Sequence, residues 1–239
     1  MLDTNATMPA MSTRVVWLFD IDGTLLFTDG AARDALSLAI RDEFGVADDL
    51  RDIPFAGRTD PLILADIMTK HGLAFRNGEE SRFWATVYAH MDALMTPGRG
   101  YLLPGVHGLL DDVAAERAWV PALLTGNTAE MARIKLGHFG IAGRFAFGAY
   151  GEEAPDRNAL ARVAVARASD RFGVPAERCI VVGDTEHDIE CARAAGARVV
   201  AVATGVRDRE FLAARGPDLL MDDLSDPAPC LAMAKEVGA

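Results

Sequence analysis

The chain has 239 residues, half of them hydrophobic, and a formal net charge of -11. That length allows one large domain or two small ones with a sizeable core. The acidic surplus argues against non-specific nucleic-acid or anionic-membrane partners, either of which needs a basic face; a local basic pocket remains compatible with it.

Residues 1–13 lack the basic region and continuous apolar core of a signal peptide and read as a loose leader. Residues 14–20, RVVWLFD, form an apolar strand that ends in charge. The next strand pattern, AWVPALLTG at 118–126, is far too distant for a single crossover. Between them, 31–44, 60–71 and 79–95 carry apolar residues at three- and four-residue spacing and predict helices. Pro97, Gly98, Gly100, Pro104 and Gly105 punctuate the exit from this segment before a helix at 106–116. From 118 onward strands and helices alternate: helix 128–139, strand 144–150, helix 157–172, strand 178–184, helix 186–195 and strand 198–203. A short strand at 218–222 and a helix start at Ser225 to Pro227 close the chain. The pattern predicts an α/β fold, a Rossmann-like parallel-sheet core at 14–27 and 104–239 with a helical insertion at 28–103.

Cys179, Cys191 and Cys230 show no CxxC or Cys/His metal spacing, so they read as buried spacers in a reducing cytoplasm rather than a disulfide framework. No apolar run approaches the roughly 20 residues of a membrane span. No protein partner is implied.

Ligands of open α/β sheets bind beyond the carboxyl ends of the strands, and three strands here end in polar clusters. These are Asp20-Ile21-Asp22-Gly23-Thr24, Leu124-Thr125-Gly126-Asn127 and Val182-Gly183-Asp184-Thr185, with Asp188 following. Residues i and i+2 of an extended segment face the same way, so Asp20 and Asp22 converge on one pocket, which Asp184 joins if its strand is adjacent. Three carboxylates in one cleft call for a cation, and a hard divalent ion such as Mg²⁺ suits oxygen ligands. In the insertion, PFAGRTDP at 54–61 is the segment expected to face this pocket, with Arg58 as an anion contact; Thr59 or Asp60 also suits a plain helix cap. Asn127 and Asp188 have both a capping and a functional reading. Phe83, Trp84 and Tyr88 are expected to pack the insertion.

FDIDGTL at 19–25, LLTGN at 123–127 and VVGDTEHDI at 181–189 stand in order at strand ends. With them the chain resembles, from about 15 to 204, the haloacid dehalogenase superfamily, in particular its phosphoglycolate-phosphatase-like members with a helical C1-type cap. The resemblance implies a Mg²⁺-dependent phosphatase that acts on a small phosphorylated metabolite through an aspartyl-phosphate. Asp20 would be the nucleophile and Asp22 the general acid, then general base. Thr125 would bind the phosphoryl group, and the Asp20 carboxylate, the Asp22 backbone carbonyl and Asp184 would hold the ion. Thr24, Arg58, Gly126 and Asn127 are the candidate substrate contacts, and backbone N–H groups around Gly126 and Asn127, where the loop opens a helix, could add to them. The familiar lysine-proline pair of the third motif is absent, and Arg157 stands where its cation belongs, with Arg162 and Lys135 as rivals. A phosphomutase of the β-phosphoglucomutase type keeps both motif-one acids and is the alternative. A 2-haloacid dehalogenase typically lacks the second acid, and a receiver-like phosphoacceptor places its acids differently.

Overall fold

The computed structural model describes residues 13–239, so the leader read over 1–13 lies, Thr13 apart, outside the described residues. Strand β1 (Val15–Phe19) is buried along its whole length. Val15, Trp17 and Phe19 enter one apolar layer while Val16 and Leu18 enter the other, as the two-residue period of a strand covered on both faces requires. A two-residue strand, β2 (Leu26–Phe27), leads out of this core into three helices, α1 (Ala31–Phe44), α2 (Asp60–His71) and α3 (Glu79–Leu94). The chain returns through β3 (Tyr101–Leu102), which pairs antiparallel with β2, so the exit and the return are tied to each other.

The remainder alternates: α4 (Val106–Ala115), β4 (Trp119–Leu124), α5 (Ala129–His138), β5 (Gly148–Ala149), α6 (Arg157–Phe172), β6 (Cys179–Gly183), α7 (Glu186–Ala195), β7 (Arg198–Val202), α8 (Arg209–Ala213), β8 (Leu219–Met221) and α9 (Ala228–Gly238). The six core strands lie in the order β5-β4-β1-β6-β7-β8, all parallel, in the α/β arrangement expected. The strand order reverses at β1, and a crevice opens there beyond the strand ends.

Three features depart from the sequence reading. The strand expected over 144–150 is reduced to Gly148–Ala149. Its neighbour β4 carries Pro121, whose carbonyl accepts from Ala146 N–H at 2.8 Å on that edge but which has no N–H to give back, so the ladder begins only at Leu123. The β2–β3 ribbon and α8 were not anticipated, because segments of two to five residues are too short to show a period.

The insertion has an apolar cluster of its own, with Leu36 and Ile40 of α1, Ile67 of α2, and Phe83 and Met91 of α3. Met131 and Ile134 of α5 join that cluster and seat the insertion on the core. Phe83 packs against Phe44 and Phe75, Trp84 stacks on Tyr88, and the Tyr88 hydroxyl donates to Thr128 Oγ1 at 3.0 Å. The three cysteines are free and buried. Among the described residues no helix is long and apolar enough to cross a membrane.

Candidate active site

The chain turns sharply as it leaves β1. Gly23 has φ of +80°, and a Cβ there would lie 2.5 Å from Asp184 Oδ2, so both the backbone conformation and the approach of the neighbouring strand's carboxylate require glycine. Asp20, held by its N–H to Val182 O at 2.9 Å, and Asp184, just past β6, are brought together by the pairing of β1 with β6. Thr24 donates to Asp184 Oδ1 at 3.2 Å. Arg157, the first residue of α6, places Nη2 3.1 Å from Asp20 Oδ1 and pairs with Asp188 Oδ1. The other Asp188 oxygen accepts from Thr185 N at 3.0 Å and Oγ1 at 2.7 Å, so Asp188 caps α7 and anchors Arg157 at once.

These charges are buried. Burial pushes the Asp20 carboxyl up to about 6 against the pull of Arg157, with Asp188 and Asp22 adding like charge. Burial, followed by Asp188 and Asp20, holds Asp184 well above the usual carboxylate range. For Arg157 burial acts downward, but Asp188 and Asp20 outweigh it and keep the guanidinium firmly charged. One oxygen each from Asp20, Asp184 and Asp188 lies within 4.8 Å of the others. With all three ionised, these carboxylates against one guanidinium would leave an excess of two negative charges, which a divalent cation would balance. The donors are all hard oxygens, as such a cation prefers. Because Asp188 is committed to Arg157 and Thr185, Asp20 and Asp184 are the carboxylates open to it.

Asp22 belongs to a second cluster. Lys135 Nζ lies 2.7 Å from both Asp22 oxygens and 2.6 Å from Asn127 Oδ1, and Asn127 Nδ2 donates to Asp22 Oδ2 at 2.7 Å. Thr125 is fully buried, and its hydroxyl accepts from Asn127 N and Nδ2, which leaves its own proton uncommitted by these bonds. Of the three candidate cations, therefore, Arg157 faces Asp20, Lys135 faces Asp22, and Arg162 is exposed.

The insertion closes over this edge. Asp60 donates its N–H to Gly126 O at 2.7 Å, and its Oδ2 accepts from Thr128 N at 2.8 Å, so Asp60 caps the core helix α5 from outside the core. A Cβ on Gly126 would lie 2.1 Å from Arg58 O. Burial pushes the Asp60 carboxyl up to about 6, opposed chiefly by Lys135. Glu152 takes the next N–H of α5, from Ala129, at 2.9 Å. At that helix start the N–H groups of Asn127, Thr128 and Ala129 all donate within the protein.

Between core and insertion lies a cavity of about 480 Å³, lined by Asp20, Asp22, Asp184, Asn127, Gly126 and Arg157 on one side and Arg33, Phe55, Arg58 and Asp60 on the other. Thr24 and Thr125 stand behind its wall. Arg58 reaches it while paired with Asp66. The sequence reading passed over Arg33 and left Lys135 only a rival. Lys135 did carry a signal, a cation four residues after the buried Met131 and three after Ala132, on an apolar helix face.

The family model described as HAD-hydrolase-like matches residues 157–227. A crystal structure of a predicted phosphoglycolate phosphatase from Haemophilus somnus 129pt superposes with a TM-score of 0.72 at 20% identity, over 93% of this chain and 100% of that one. The fold is that of the haloacid dehalogenase-like hydrolases. Among curated relatives, a probable phosphoglycolate phosphatase of Pseudomonas savastanoi is 38% identical over 66 residues, 27% of this chain and 41% of that protein. The chain thus spans less than half the length of that relative. A 5'-nucleotidase of Pseudomonas aeruginosa is 27% identical over 87% of this chain and 91% of its own length.

Proposed function

We propose that this haloacid dehalogenase-like chain is a Mg²⁺-dependent phosphomonoesterase acting on a small phosphorylated metabolite in the cytoplasm through an aspartyl-phosphate at Asp20. The observation that carries the reading is the separation of two carboxylates at one strand end, Asp20 against Arg157 and Asp22 against Lys135, both open to the same cavity. An Asp20 oxygen attacks phosphorus as the bond to the leaving oxygen breaks, and Asp22 gives that oxygen its proton. Water then attacks phosphorus, Asp22 takes its proton, and the bond to Asp20 breaks to restore the carboxylate. Every contact drawn on Asp22 comes from a donor, which suits the base of the second step; acting as acid requires its side chain to turn off Lys135.

Arg157 orients Asp20 and can grip a phosphoryl oxygen as well. Thr125 would spend its hydroxyl proton on another, and Thr24 positions Asp184. Asp20, Asp184 and the Asp22 carbonyl would hold Mg²⁺, which when bound supplies neutralisation of phosphoryl charge. The helical insertion would serve as a cap that excludes bulk water and selects the leaving group through contacts such as Arg58.

Incubation of the purified protein with p-nitrophenyl phosphate and a panel of sugar and organic-acid phosphates should give phosphate release that chelation abolishes. Asp20→Asn should lower kcat by about 10⁴-fold or more. Release that ignores Mg²⁺ or survives Asp20→Asn would overturn the reading, and an isomerised sugar phosphate without free phosphate would favour the mutase.

A further inference from the structure

The cations around the cavity are almost all spoken for. Arg157 and Lys135 face the strand-end carboxylates, Arg58 faces Asp66, Arg207 is bidentate on Glu186, and Arg51 pairs with Asp49 with its side chain 83% exposed. Arg33 is different in having no carboxylate partner among the described residues; its Nε, like that of Arg157, is buried without a hydrogen-bond acceptor. It sits in the first turn of α1 with its guanidinium carbon 4.6 Å from the centroid of the Phe55 ring, and both residues line the cavity from the insertion side. A buried charged donor without an acceptor carries an uncompensated desolvation cost, which a ligand that supplies the acceptor would remove. The ring face holds the guanidinium plane, and a planar fork of N–H donors matches a carboxylate or phosphate. Ile53 and Ile63 add apolar surface to the cavity lining.

We propose that Arg33 binds a second anionic group, carboxylate or phosphate, on the substrate, so that the preferred esters are those whose leaving group is itself an anion. The proposal rests on the phosphatase reading for the placement of the scissile phosphoryl at Asp20. The volume agrees, since about 480 Å³ falls within the range of small-molecule sites and leaves room beyond a phosphoryl group for a leaving group that reaches α1.

The test uses ligands that cannot be hydrolysed, titrated calorimetrically into the Mg²⁺-loaded protein: ethylphosphonate with one anionic group, 3-phosphonopropionate with an added carboxylate, and propane-1,3-bisphosphonate with an added phosphonate. The wild type should bind at least one of the latter two about 10- to 100-fold more tightly than ethylphosphonate, as expected for a charge-assisted contact. Which of the two gains more identifies the anion. Arg33→Gln should reduce that ratio to threefold or less, and Arg33→Lys, which keeps the charge but loses the fork, should retain part of it. A wild-type ratio of threefold or less, absence of binding by both two-anion ligands, or equal weakening of all three ligands by both variants would overturn the proposal. Should Arg33→Gln fail to fold, the wild-type ratio and Arg33→Lys decide. Absence of phosphate release in the hydrolysis assay strikes the phosphatase reading and leaves this ratio unaffected, so the two failures are separate.

Discussion

On the sheet side of the cavity Asp20, Asp184, Asp188 and Arg157 are between 0 and 7% exposed, and Arg157 and Thr24 tie them into one network. On the insertion side the Arg58 side chain is 26% exposed, and Arg33 has an aromatic ring for a neighbour in place of a counter-charge. The first wall sets its carboxylates against a guanidinium before any ligand arrives, which is the condition for electrostatic preorganisation. The second holds a guanidinium with no carboxylate against it among the described residues. The contrast assigns fixed chemistry to the sheet and selection to the insertion, and three substitutions press on it.

The largest effect is expected from Arg157→Met. It strips the Arg157 guanidinium from three buried carboxylates, and breaking such a network by removing one partner costs about 3–5 kcal/mol. Urea unfolding at pH 8 without Mg²⁺ should show that loss, and a change below about 1 kcal/mol would mean the sheet wall is not the closed network described. Gly126→Ala addresses the seam between the walls. Its Cβ would collide with Arg58 O, so the loop or the strand end must shift, at about 1–3 kcal/mol. An unchanged denaturation midpoint would mean that the insertion yields freely at this point.

Asp60→Asn should give the smallest effect and the most diagnostic pH dependence. Burial raises the Asp60 carboxyl from 3.8 to about 6, so the folded protein holds this proton more tightly than the unfolded chain does. Its contribution to stability is then complete below pH 4 and is lost as pH rises through 6. Asparagine keeps an acceptor for Thr128 N–H without the charge. The variant should therefore match the wild type at pH 4 and exceed it at pH 8 by about 1–2 kcal/mol. Equal differences at both pH values would show that the charge of Asp60 is not what the docked loop pays for.

Much of the architecture was legible in sequence. The bounds expected for the helices at 31–44, 60–71, 157–172 and 186–195 are those observed. The carboxyl ends of the strands at Asp20, Asp22 and Asp184 do converge on one cavity. Arg157 is favoured over Arg162 and Lys135 by its place in the third motif, and the fold alone shows its Nη2 3.1 Å from Asp20 Oδ1. The shortened third strand was hidden because Pro121 acts on a different strand from the one it cuts short.

The sequence by itself determined the succession of elements, the helical interruption after the first strand and the clustering of acids at strand ends. These follow from periodicity and turn chemistry, which operate within a few residues. Only the tertiary structure decided which charge meets which: Lys135 on Asp22 across 113 positions, Arg157 on Asp188 across 31, and Arg33 on no carboxylate. Pairing of this kind depends on distance through space and on burial, because a charge removed from water must be answered by whatever the fold places beside it.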